Sequence, residues 1–240
     1  MCSSQRRLGY SIVKGWRTVR LVNLRSQFFA FYLPITATLI SACGGENFDK
    51  IRNIDSAGET IICFGDSLTE GVGAAEGEDY PTVLSRLLAS PVVNAGRRGD
   101  TTGDALERLS DAVLGKNPRL VILLLGGNDF LRQRPVQETR KNLEEIVQRV
   151  QARGAMVAIA GLKLGLFTDE YSAMFEDTAK RLGALYIPQV LKGILSDSAL
   201  RSDPIHPNGA GYRLIADRMA EKIKPLLERS ERLKIALLAA

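Results

Sequence analysis

From residue 60 onward, short apolar runs alternate with longer stretches whose apolar residues recur at three-to-four spacing. This alternation constrains the fold more than any other feature of the chain. The runs at 60–64, 91–95, 120–125, 155–160 and 184–187 predict five strands, and 80–88, 102–114, 136–153 and 171–182 predict the helices between them. Gly154 and Gly183 stand where the last two of those helices should stop. Strands that are almost wholly apolar, separated by helices, indicate a parallel sheet covered on both faces, because each crossover helix hides one side. The predicted fold class is therefore α/β: a doubly wound, three-layer α/β/α domain on a five-stranded parallel sheet, over residues 59–227. Residues 228–240 read as an extra amphipathic helix or a frayed tail. In such a sheet, ligands bind beyond the carboxyl ends of the strands, so the segments after strands one, two and three should meet in one crevice.

The formal charge of +5 raises the question of an anionic partner, and its distribution answers it. Residues 1–42 hold Arg6, Arg7, Lys14, Arg17, Arg20 and Arg25 and no acidic residue, which leaves 26 basic against 27 acidic in the remainder, a net of −1. A nucleic-acid binder keeps a basic face on its folded domain, so no nucleic-acid partner is expected. The basic stretch runs into apolar residues 28–40 and then Ser41 and Ala42, the layout of a signal peptide over 1–42. Thirteen helical residues rise only about 20 Å, too little for a hydrocarbon core of about 30 Å. Leu39-Ile40-Ser41-Ala42-Cys43 resembles a bacterial lipobox, which makes Cys43 the expected lipidation site and residues 43–58 a tether. The alternative is a plain secretory signal that releases the protein to the periplasm. The expected location is the periplasmic side of the cell envelope, and Gly44 after Cys43 points by resemblance to the outer membrane. Cys63, inside an apolar run, reads as a buried thiol.

The strand ends carry the chemistry. Strand one leads into Gly65-Asp66-Ser67-Leu68, where a serine at a strand-to-helix turn meets backbone N–H groups that face developing negative charge. Alone, this is also a common turn sequence. Strand two leads into Asn94-Ala95-Gly96-Arg97-Arg98-Gly99-Asp100-Thr101-Thr102, and strand three into Gly126-Gly127-Asn128-Asp129. Glycine admits a close backbone approach and a side-chain amide donates without charge, so the N–H groups of Ser67 and Gly99 with the Asn128 side chain could form an oxyanion hole. Asp203-Pro204-Ile205-His206 holds the only histidine, three residues after an aspartate that can fix its tautomer. A Ser67, His206, Asp203 set follows. One histidine without clustered cysteines argues against a zinc site, and no metal or organic cofactor is required.

Taken in this order, GDSLTEGVG, NAGRRGDTT, GGNDFLR and DPIHPNGAGY resemble the SGNH (GDSL) hydrolase superfamily over nearly all of residues 60–225. They are most similar to its bacterial thioesterase I, lysophospholipase and arylesterase group. The resemblance implies a flavodoxin-like SGNH hydrolase fold, Ser67 as nucleophile, Gly99 and Asn128 as oxyanion donors, and Asp203 with His206 completing the triad. It implies a small-molecule or lipid ester as substrate, with a carbohydrate O-deacetylase or a non-catalytic lipid- or glycan-binding lipoprotein as alternatives. Arg97 and Arg98 depart from the group's usual small or apolar residues. They read either as a cationic rim suited to an anionic head group or as two solvated arginines. Residues 163–169 correspond to a variable substrate-facing loop in which Leu164, Leu166 and Phe167 could line an acyl site or merely pack.

Overall fold

The computed structural model describes residues 48–163 and 169–239. The leader, Cys43, the first part of the expected tether, and Leu164, Leu166 and Phe167 lie outside the described residues. Five strands, β1 (Thr60–Gly65), β2 (Val92–Gly96), β3 (Pro118–Leu124), β4 (Met156–Ala160) and β5 (Leu185–Ile187), pair in parallel in the order β2-β1-β3-β4-β5. The central strands β1, β3 and β4 are nearly continuous apolar runs because both faces are covered, and the edge strand β2 is only partly buried.

Among the described residues seven α-helices accompany them: α1 (Ser67–Glu70), α2 (Tyr80–Leu88), α3 (Thr102–Ala112), α4 (Gly127–Leu131), α5 (Val136–Ala152), α6 (Asp169–Leu182) and α7 (Gly209–Leu238). α2 packs with α7, whereas α3, α5 and α6 pack in series, which gives the three layers that the alternating pattern predicts. The core lies in the sheet and on its covered faces, with Ile62, Phe64, Leu120, Ile122, Ile146 and Ile215 fully buried. Cys63 is buried and unpaired, and burial pushes its thiol well above the ordinary range. Local chemistry sets the helix starts. Asp79 caps α2, accepting from Thr82 N at 3.0 Å, Thr101 and Asp104 form a capping box on α3, and Asn208 caps α7. Gly154 and Gly183, at φ 78° and 65°, follow the ends of α5 and α6 as the sequence predicts.

The chain passes from β1 outward to β2 and then returns across β1 to β3. The connections therefore diverge between β1 and β3, which opens a crevice at their carboxyl ends.

Two boundaries differ from expectation. Residues 48–57 are part of the domain: Phe48, Ile51 and Ile54 pack half-buried on the core, and the Asn53 amide donates to Gln151 O (2.8 Å) and Ala155 O (3.0 Å). Residues 228–238 continue α7 instead of forming a separate tail, although Pro225 lies inside that helix. Ser230 is fully buried, and Arg119 on β3 reaches both Ser230 Oγ (3.3 Å) and Glu231 (2.5 Å), which holds the helix to the sheet past the expected boundary. Beyond it Ile235, Leu237 and Leu238 are exposed. Among the described residues no helix is long and apolar enough to cross a membrane.

Candidate active site

Gly65 ends β1 where no side chain fits, since a Cβ there would lie 2.0 Å from Thr69 Oγ1 and 2.5 Å from Leu124 O. The chain then turns through Asp66, whose carboxylate caps α1 by accepting from Leu68 N at 3.0 Å, and Ser67 becomes the first residue of that helix. Among the described residues nothing accepts from the N–H of Ser67.

His206 lies on the loop ahead of α7. His206 O accepts from Ser202 N (2.9 Å), Arg201 bridges to Pro207, and Asp203 Oδ1 accepts from both Ile205 N (2.8 Å) and His206 N (2.9 Å). The hydrogen bond from the Ile205 amide, with those from the His206 ring and amide, holds the Asp203 carboxyl below the usual carboxylate range. An ionised carboxylate only accepts, so His206 Nδ1 donates to Asp203 Oδ2 across 2.7 Å. Nε2 is then left to accept from Ser67 Oγ, 3.0 Å away. The imidazole is largely shielded, at 14% exposure, whereas the Asp203 side chain is 44% exposed.

The turns after β2 and β3 lock to each other and to the two residues before this serine. Asp100 is buried between two guanidinium groups, Arg97 Nε at 2.6 Å and Arg108 Nε at 2.5 Å. Arg108 also donates to the carbonyls of Gly65 and Ala95, each at 3.0 Å, and stacks over Phe64, so one side chain ties together the ends of β1 and β2. Asp129, also buried, accepts from Thr102 N (2.9 Å) and Thr102 Oγ1 (2.6 Å). The Asn128 amide nitrogen between them donates to Asp100 O at 2.9 Å and to Asp66 Oδ2 at 3.3 Å. Asp66 is itself buried. Loss of water pushes its carboxyl up to about 7 against the lowering hydrogen bond from Leu68, with Asp100 and Asp129 adding like charge.

Ser67, Asn128 and His206 thus form the polar end of a cavity of about 290 Å³ whose other walls include Leu68, Phe130, Leu162, Leu191, Leu195 and Ile205. Gly99 is not part of its lining. It lies one residue before Asp100 at φ 81°, with its carbonyl accepting from Arg132 at 2.7 Å and its N–H without an acceptor among the described residues. Both arginines of the same turn are paired with carboxylates, Arg97 with the Asp100 that it shares with Arg108 and the exposed Arg98 with Glu70. Asp66, Asp100, Arg108 and Asp129 have no place in the sequence reading of the site. Only the presence of acidic residues in otherwise Gly-rich strand ends signals them, and Arg108 looks like any polar residue on an amphipathic helix.

Comparison with known proteins gives the family. Residues 63–214 match the GDSL-like Lipase/Acylhydrolase family. The chain is 32% identical over 180 residues to thioesterase 1/protease 1/lysophospholipase L1 of Escherichia coli K12, covering 72% of this chain and 86% of that protein. It is 28% identical over 183 residues to esterase TesA of Pseudomonas aeruginosa PAO1, covering 72% and 91% respectively. The crystal structure of TesA superposes with a TM-score of 0.65 at 29% identity, over 70% of this chain and 99% of that one. With four motif segments gathered at the carboxyl ends of the strands and the match running from β1 into α7, the chain belongs to the GDSL-like lipase/acylhydrolase family and is a carboxylic ester hydrolase.

Proposed function

We propose that the chain hydrolyses esters of apolar acyl groups, such as lysophospholipids, acyl thioesters or aryl esters, through Ser67, His206 and Asp203. The observation that carries this is the apolar cavity opening directly beside the Ser67–His206 pair. Ser67 Oγ attacks the ester carbonyl carbon while Nε2 takes its proton. The oxyanion is held by the N–H groups of Ser67 and Gly99 and by Asn128. Collapse of the tetrahedral intermediate breaks the carbonyl bond to the leaving group, which takes the proton from the imidazolium. Water then repeats the sequence on the acyl-enzyme, and the acid is released.

A chain-length series of p-nitrophenyl esters, lysophospholipids and acetylated sugars tests the reading. Rising kcat/KM from acetyl to medium acyl chains is expected, with a Ser67→Ala chain as control. Preference for acetylated sugars would instead identify a carbohydrate deacetylase. Failure of a fluorophosphonate probe to label Ser67 would identify a binding protein.

We further propose that the chain is exported and lipid-anchored through Cys43 at the periplasmic side of the envelope. The basic, apolar and small-residue succession ending at Cys43 supports it. Metabolic labelling with a fatty acid should mark the wild-type protein and not Cys43→Ser. Equal labelling of both would overturn the anchor.

A further inference from the structure

We infer that Asp66 is a positioning residue that controls how much of the Asn128 amide is available to the oxyanion. The inference rests on the reading of Asn128 as an oxyanion donor. An amide nitrogen carries two hydrogens. One is held by Asp100 O at 2.9 Å, in a turn whose own carboxylate is clamped by Arg97 and Arg108. The other faces Asp66 Oδ2 at 3.3 Å. The hydrogen that an oxyanion must take is therefore the one that Asp66 holds. Ionised, Asp66 competes for it and places like charge beside the developing oxyanion. Protonated, it presents an O–H at that oxygen and stops competing. Its other oxygen stays on Leu68 N in both states, so the carboxyl group need not move.

The groups around Asp66 make both states accessible near neutrality. Asp100, with Arg97 and Arg108 upon it, approaches from the turn after β2, and Asp129 from α4. The phenols of Tyr80 on α2 and Tyr212 on α7 lie near enough for the Asp66 charge to raise both, and His206 lies on the same cavity. Burial and the two carboxylates set its titration at about 7.

The test is the pH profile of kcat/KM for a soluble short-chain aryl ester. It is measured on the full chain and on Asp66→Asn, Asn128→Ala and the double variant, each corrected for folded fraction by thermal unfolding. Asparagine keeps an acceptor for Leu68 N–H and an uncharged donor where the protonated oxygen would be. The Asp66→Asn to wild-type ratio should rise about three- to tenfold between about pH 6 and about pH 9, with a midpoint near 7. The rise should vanish on the Asn128→Ala background. A flat ratio while Asn128→Ala lowers activity overturns the inference, as does a rise that persists without Asn128. If Asn128→Ala alone leaves activity intact, the oxyanion reading fails first and the inference with it. Asp66→Ser, which also caps α1, serves as the second uncharged variant should the asparagine chain not fold.

Discussion

At the scale of single residues, the site depends on side chains held by more than one bond. Asp203 directs one carboxylate oxygen to two backbone amides and the other to His206 Nδ1, so the residue that sets the tautomer is also the brace of its own loop. Asp203→Asn keeps the first function and reverses the second, because an amide N–H then faces Nδ1 and forces the proton to Nε2. It should lower kcat about 10³- to 10⁴-fold with little change in KM or melting temperature, read by steady-state kinetics beside calorimetry. Asp66 makes a separate contribution to stability. Its folded-state titration lies near 7, above the ordinary 3.8, so the unfolded chain gives up this proton first as pH rises. Its contribution is whole below about 4 and is lost as pH passes through about 7, in the direction opposite to a salt-bridged carboxylate. The melting temperature of Asp66→Asn relative to wild type should therefore climb between pH 4 and pH 7 and level off above. A difference that does not vary with pH would show that the folded carboxyl titrates normally.

At the scale of elements, legibility in the sequence followed how local each signal is. α2 occupies the predicted residues because Asp79, Pro81 and the apolar spacing all act within the helix itself. The histidine and its aspartate were legible because a lone histidine three residues after an aspartate is unusual for a turn, and the serine, in a common turn sequence, became legible only beside the other three segments. Arg108 was not, since its role arises from carbonyls on two strands that the fold brings together. α7 shows the same limit in reverse. Residues 228–240 read locally as an extra amphipathic helix or a frayed tail, yet Ser230 is buried and Arg119 holds the last turns to β3. Within a continuous helix, Pro225 removes the donor for the carbonyl four residues earlier. Pro225→Ala should then stabilise the protein by about 1–2 kcal/mol, several degrees in Tm by calorimetry. A neutral or negative change would place a helix break at that point.

At the scale of the whole molecule, the strand order puts the serine at the divergence of two crossovers, and the residues that precede β1 bond elsewhere, to the segments that lead into β4 and β5. Those residues carry apolar side chains three apart, Phe48, Ile51 and Ile54, a period easily taken for chance in a polar stretch of ten. Here they cover the core, Arg52 N donates to Gly183 O at 2.8 Å, and the Asn53 amide satisfies two carbonyls between α5 and β4. Two truncations separate a tether from a folded part. A chain beginning at Phe48 should melt with the full-length protein. A chain beginning at Glu59 loses the three half-buried apolar side chains that cover the core and the three hydrogen bonds to Gly183 O, Gln151 O and Ala155 O. At about 1 kcal/mol for each group, it should lose about 4–6 kcal/mol and melt about 10 °C or more lower. Ser67, Asn128 and His206 contact none of the removed residues, so the kcat of the molecules that remain folded should not change. Equal melting of both truncated chains would make residues 48–58 a tether after all, and a fall in kcat without loss of Tm would tie the far edge of the sheet to the site.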